Sequence, residues 1–365
     1  MPLSTGSFSG RDLARCLADD GDMNAQSLTV IRSSTNGRPS VGDLSSGNVI
    51  RIQRGRYVRI RRSGPPMTYW EIWALVARAR LLVVSDSSSG SPVFVGPSSF
   101  VARSIPLWEA NPDVVIWCAS RHGRRSMPAV TMQTVTIPST FVCSTVKKPC
   151  EHSVEIVDRL RCESVVEAAV RMACYSDRLS GFVAICMALH YESRFVVLSQ
   201  QESRQRAQRV RSKMLECLEL YRQQKECVPY RRAQRLIAAA DPGCDNPAEA
   251  ALLWVLKSVS AFEVVTQFEI VVNGHRYFAD IAIPGLMIIF EFDGIGKLGK
   301  DDAEFARAKR DWIQRENDLR GAGWTIYRFS WPDYEDLAQL RSLVSELLGP
   351  FQSVIPSSAQ GLWAK

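Results

Sequence analysis

From Tyr277 to Gly294 the chain reads YFADIAIPGLMIIFEFDG: two apolar runs joined by Pro284-Gly285, with Asp280 inside the first and Glu291 and Asp293 closing the second. Side chains alternate across a strand, which puts Glu291 and Asp293 on one face and Phe290 and Phe292 on the other. Carboxylates at the ends of otherwise buried strands are costly unless a cation satisfies them. A divalent metal is the usual answer, since Mg²⁺ takes one or two carboxylates together with phosphate oxygens. This stretch therefore demands a buried sheet whose acidic strand ends meet positive charge.

At 365 residues the chain is too long for one ordinary core and implies two or three domains. Its 46% hydrophobic and 23% charged content suits a soluble globular protein. No apolar run approaches the length of a membrane span. MPLSTGSFSGRDLARCL lacks the basic and apolar segments of a secretory signal, so the expectation is a cytoplasmic chain with no membrane partner. Ten cysteines stand singly without a CxxC pair and read as small buried side chains; the four histidines lack zinc-ligand spacing. The net charge of +7 is modest, but its distribution is not even. Arginines cluster at Arg51, Arg54, Arg56, Arg59, Arg61 and Arg62, and again from Arg204 to Arg235, which favours a polyanionic partner such as DNA.

Residues 1–64 read as short helices, Asp12 to Leu17 and Ser40 to Ser46, followed by the ribbon VIRIQRGRYVRIRR, in which apolar residues alternate with arginine. Helices followed by a basic ribbon suit a winged helix, the ribbon being a DNA-contacting wing. The alternative is a solvated hairpin whose arginines only confer solubility. Gly64-Pro65-Pro66 breaks the chain. Residues 65–195 read as a mixed α/β domain: a helix from Thr68 to Arg80, strands at Asp113 to Ala119 and Ala129 to Ile137, and helices at Ser164 to Tyr175 and Gly181 to Tyr191. It holds no catalytic constellation, and His122 among its arginines reads as an exposed basic turn. Residues 196–240 form a basic helical connector, either plainly solvated or a second DNA-facing surface.

Residues 241–350 carry the order α-β-β-β-α-β-α. Asp245-Asn246-Pro247 opens a helix with Glu249 in its first turn. Asn273-Gly274 joins two strands in a hairpin, and Leu286 to Phe292 is a third strand. A helix from Ala303 to Arg320 stops at Gly321 and Gly323, Trp324 to Phe329 is a fourth strand, and Glu335 to Leu348 closes the unit. Residues 351–365 show no periodicity and read as a loosely held tail.

The stretches NPAE, ADIAIPG, EFDGIGKLG, AKRDWIQRENDLRGAGW and TIYRFSW fall in that order between Asn246 and Tyr334. In this they resemble the very-short-patch-repair-like endonuclease domains of the PD-(D/E)XK, restriction-endonuclease-like class. SGNVIRIQRGRYV, PSSFVARSIPLW and RCESVVEAAVRMA resemble, more distantly, proteins in which such a domain follows an AbiEi-type antitoxin-like winged helix. The resemblance implies an α/β (α+β) multidomain protein: a winged helix, a mixed middle domain, and a restriction-endonuclease-like α/β/α domain. It further implies Mg²⁺ or Mn²⁺ at Asp280 and Glu291, with Glu249 binding it through water or positioning the nucleophile; Asp293, a third carboxylate, can add metal affinity but no positive charge. The lysine that usually stands two residues after the glutamate is replaced by Asp293, which leaves Lys297 or Lys309 to fill that role.

Two functions follow from the sequence. One is a DNA-binding, metal-dependent endonuclease of defence, repair or toxin-antitoxin type. In it the metal lowers the pKa of a bound water and neutralises charge on the scissile phosphate. The other is an antitoxin-like transcriptional regulator whose nuclease-like domain is inactive. A pure protein-interaction module leaves both the basic clusters and the acidic constellation unexplained, although a partner protein or a homo-oligomer stays open beside DNA.

Overall fold

A computed structural model describes residues 27–45, 47–61, 67–88, 90–118, 123–150, 153–224, 229–293, 302–352 and 354–363. The helix expected at Asp12 to Leu17, and also Arg62, His122 and Lys297, lie outside the described residues. The protein is a mixed α/β chain whose described residues fall into two compact units, one up to Met172 and one from Ala173. This division is coarser than the five segments read from the sequence.

The first unit begins with β1 (Ser27–Arg32), the short helices α1 (Ser33–Asn36) and α2 (Val41–Ser45), and the ribbon β2 (Val49–Gln53) and β3 (Arg56–Arg61). The three strands pair antiparallel in the order β1-β3-β2. Arg59 stands opposite Thr29 on one side and Val49 on the other, while Tyr57 stands opposite Ile31 and Arg51. Opposite residues share a face, so Arg51, Arg59 and Arg61 lie together on one face around the small cluster of Ile31, Val49, Tyr57 and Leu44. The other face buries Ile50, Val58 and Ile60. Helix α3 (Tyr69–Ser87) packs against all three strands and starts at a capping box, Thr68 with Glu71.

A six-stranded sheet in the order β10-β11-β4-β5-β9-β6 completes the unit. Its strands are β4 (Val93–Phe94), β5 (Val114–Trp117), β6 (Arg124–Met127), β9 (Thr140–Thr145), β10 (Val154–Val157) and β11 (Leu160–Glu163), and α4 (Pro97–Ala102) packs on it. The single strand expected from Ala129 to Ile137 is instead a hairpin, β7 (Val130–Met132) and β8 (Val135–Ile137). Gln133 turns the chain there at φ 55°, with no Gly, Asn, Asp or Pro beside it to announce a turn. The chain passes to the second unit within α5 (Val165–Tyr175).

At the centre of the second unit lies α6 (Arg178–Ser193), buried on every side from Gly181 to Leu189 because its sequence is apolar all round. It packs on α7 (Gln200–Gln223), α8 (Tyr230–Ala239) and α9 (Pro247–Val259). The four-stranded sheet follows the expected order: β12 (Val265–Val272), β13 (His275–Ile283), β14 (Ile288–Phe292), then α10 (Asp302–Gly321), β15 (Thr325–Phe329) and α11 (Leu337–Leu348). β12, β13 and β14 are antiparallel neighbours, and β15 lies parallel to β14 after the α10 crossover. Residues expected as a loose tail form α12 (Ser357–Trp363), which packs on α9 by stacking Trp363 on Trp254 at 4.3 Å. Arg341 lies over the Trp363 ring at 4.9 Å. Within α12, Ala359 and Leu362 are buried, four residues or fewer apart, an apolar face too short to register as periodicity.

The basic connector is tied to the unit's own helices. Arg206 donates to the carbonyls of Ser193 and Arg194 (2.6 and 3.1 Å) at the end of α6. Arg211 does so to Ile237 and Ala240 at the end of α8, the latter at 2.8 Å. Arg232 reaches Ala173, Cys174 and Ser176 at the end of α5, at 2.6–3.1 Å. Helix C-termini leave four carbonyls without helical partners and carry negative partial charge, so these arginines are helix caps. Five of the eight described cysteines, Cys118, Cys162, Cys174, Cys186 and Cys244, are buried, in keeping with small core side chains.

Candidate functional site

The acidic strand end is built by a break in the sheet. Pairing of β13 with β14 runs through Ile281 opposite Phe290 and goes no further, whereas β14 stays paired with β15 to Phe292 opposite Phe329. Where the two strands part, the Asp280 carboxylate takes over from the ladder: its Oδ2 accepts the Phe292 N–H at 3.1 Å. On the other side of β13 the ladder skips the residue facing Asp280, Gln267, whose φ of 49° lies in the left-handed region. Asp280 is half-buried at this doubly interrupted point.

Glu249 occupies the first turn of α9. Asn246 caps the helix, its Oδ1 accepting the N–H groups of Ala248 and Glu249 at 2.9 and 3.0 Å. Its Nδ2 donates to Glu249 Oε1 at 2.7 Å, and Glu249 Oε2 accepts the Asp245 N–H at 2.8 Å. Both oxygens of the buried Glu249 thus serve the helix start, one on the cap side chain and one on the backbone before it. Tyr334, in the turn before α11, is fully buried. Burial first, and then the negative charges of Glu249 and Asp280, push its phenol well above the ordinary range. These two carboxylates therefore bear on one buried tyrosine.

Glu291 has partners of its own. It is 8% exposed, and its oxygens meet two guanidiniums. Arg315 of α10 bonds Oε1, and Arg328, its register partner on β15, lies 3.2 Å from Oε2. Arg315 also donates to the Phe278 carbonyl at 2.8 Å. Arg328 donates to Glu316 at 2.5 Å, lies 3.7 Å from Asp293 and sits 4.9 Å from the Trp312 ring. Burial opposes the charge on Arg328, but Glu316, Glu291 and Asp293 outweigh it and raise its pKa. Asp293 is 54% exposed at the strand end. Lys309 is exposed on α10, two turns and about 10 Å along the axis from Glu316.

Among the described residues, no group of three or more His, Cys, Asp or Glu side chains is placed to hold a metal ion. The oxygens of Glu291 and Glu249 already accept hydrogen bonds or ion pairs, and one oxygen of Asp280 accepts the Phe292 N–H. The sequence assigned no role to Arg315, Arg328 or Tyr334, and gave Asn246 only that of a helix start. The available signal was Arg328 itself, a charged residue inside the apolar strand TIYRF, which needs an acidic neighbour as much as Glu291 needs a basic one.

On the ribbon, Arg51, Arg54, Arg59 and Arg61 are exposed. Arg56 differs: it joins Arg32 on Asp86 of α3, at 3.2 Å and 2.6 Å. Burial would raise the Asp86 carboxyl, but these two arginines hold it below the ordinary range. Comparison with protein-family models, with curated proteins and with solved structures returns no match for this chain.

Proposed function

We propose that the chain is a DNA-binding, antitoxin-like regulator whose second unit has the layout of a restriction-endonuclease-like domain without acting as a metal-dependent nuclease. The observation that carries this reading is the pairing of Glu291 with Arg315 and Arg328, which leaves the strand end neutralised by the chain's own cations. The sheet order, the β14-α10-β15 crossover and the preceding α9 support the domain layout. The order β1-β3-β2, with helices between β1 and β2, supports a winged helix whose ribbon carries Arg51, Arg59 and Arg61 on one face. Such a face suits contact with phosphates, which gives affinity without sequence choice.

A second reading, a Mg²⁺- or Mn²⁺-dependent endonuclease, is favoured by one observation: Asp280 fills the split between β13 and β14 with the exposed Asp293 at the adjacent strand end.

The test is the full chain on supercoiled plasmid and on single strands in Mg²⁺, Mn²⁺ or EDTA. Retardation of duplex DNA without nicking is the expected result; nicking that disappears in Asp280→Ala would establish the second reading. Replacing Arg51, Arg59 and Arg61 together with alanine should weaken duplex binding. It should also flatten the slope of log K against log salt by about 2.7, at about 0.9 per lost phosphate contact. An unchanged slope would remove the ribbon from the DNA interface.

A further inference from the structure

The carboxylate that the resemblance gives to a metal is enclosed by two cations fixed from behind. Arg315 is anchored by the Phe278 carbonyl and lies 5.9 Å from the Tyr277 ring; Arg328 is anchored by Glu316 and lies against Trp312. The Tyr277 hydroxyl is in turn held by Asp318, three residues beyond Arg315 on α10, at 2.6 Å. The side chains of Arg315 and Arg328 are 27% and 19% exposed, so their charges act on Glu291 with limited screening by water. Guanidinium groups lose no proton at accessible pH, and their planar fork suits a carboxylate better than a lysine does. A divalent cation entering here would have to displace two anchored charges of its own sign.

We infer that Arg315 and Arg328 stand in for the divalent cation at Glu291, tying α10 and β15 to the end of β14 by charge and closing that carboxylate to metal. This rests on the non-cleaving reading and deepens it by naming the residues responsible. Neither guanidinium comes from the stretches that carry Asp280 and Glu291; they stand in AKRDWIQRENDLRGAGW and TIYRFSW. Arg315 arrives on the crossover helix and Arg328 on the parallel strand, so both fall into place only through tertiary packing.

Mn²⁺ is the probe, with electron paramagnetic resonance reading its binding to the full chain and thermal unfolding reading its effect. Wild type and Glu291→Gln should give the same Mn²⁺ titration. Arg315→Gln should lower Tm by on the order of 10 °C, because it strips one partner from a buried carboxylate. Mn²⁺ should then restore part of that loss. The restoration should be absent in Arg315→Gln/Glu291→Gln and in Arg315→Lys, which keeps the charge. Wild-type Mn²⁺ binding that Glu291→Gln reduces would overturn the inference, as would a folded Arg315→Gln that ignores Mn²⁺. Should Arg315→Gln fail to fold, the comparison of wild type with Glu291→Gln still decides. Failure of the non-cleaving reading shows separately, as Asp280-dependent nicking by wild type.

Discussion

Asp241, at the head of the segment leading into α9, shows how much a single charged side chain organises. It pairs with Arg204 at 2.8 Å, accepts the Gly243 N–H at 2.9 Å and takes the Thr266 hydroxyl. Gly243 is required there, since a Cβ would sit 2.2 Å from Thr266 Oγ1. Burial pushes the Asp241 carboxyl up, but Arg204, Thr266 and Gly243 overcome it and hold it below the ordinary range. Its folded pKa is thus depressed from an unfolded value of about 3.9. The stability it contributes is present above that value and is lost as pH falls through the folded pKa. Wild type should therefore exceed Asp241→Asn in Tm at about pH 6, with the gap closing below about pH 3.9. A gap that widens on acidification would refute the assignment. From sequence, Asp241 was only a domain edge. Asn246 and Glu249 were legible as a helix start because cap and first turn are local; that both Glu249 oxygens serve the cap was not, since the same carboxylate suits a metal equally well.

At the scale of elements, strands and helices of the second unit were legible wherever period and end signals coincide: Asn-Gly for the hairpin, Asn-Pro for α9, Gly321 and Gly323 at the close of α10. What stayed hidden was the purpose of the arginines between Arg204 and Arg235. Capping pairs Arg206, Arg211 and Arg232 with carbonyls 12 to 59 positions away, a relation that no local pattern encodes. Arg232→Ala removes donors from three carbonyls at the end of α5, and hydrogen bonds from a charged group contribute about 1.5–3 kcal/mol. The variant should lose roughly that much in chemical denaturation while binding duplex DNA as wild type does. Weakened DNA binding in a variant of unchanged stability would return this segment to the nucleic-acid interface.

For the molecule as a whole, the net charge of +7 conceals arginines of different kinds: those exposed on the β2-β3 ribbon, those that close the ends of helices, and those paired with carboxylates. No single helix among the described residues is long and apolar enough to cross a membrane. The parallel pairing of β14 with β15 carries a kinetic consequence. Glu291 and Arg328 are separated by the whole of α10, so the chain must close that loop and dock the helix before the two charges meet. On this argument the contact should form late and be absent from the folding transition state, so that its loss speeds unfolding without slowing folding. Stopped-flow chevrons of Glu291→Gln should accordingly show a steeper penalty on the unfolding limb, with a φ-value near zero. A value near one would place the crossover in the nucleus. In the expected case, the arginine tie acts as a latch on the finished fold, setting how long the unit stays folded rather than how fast it gets there.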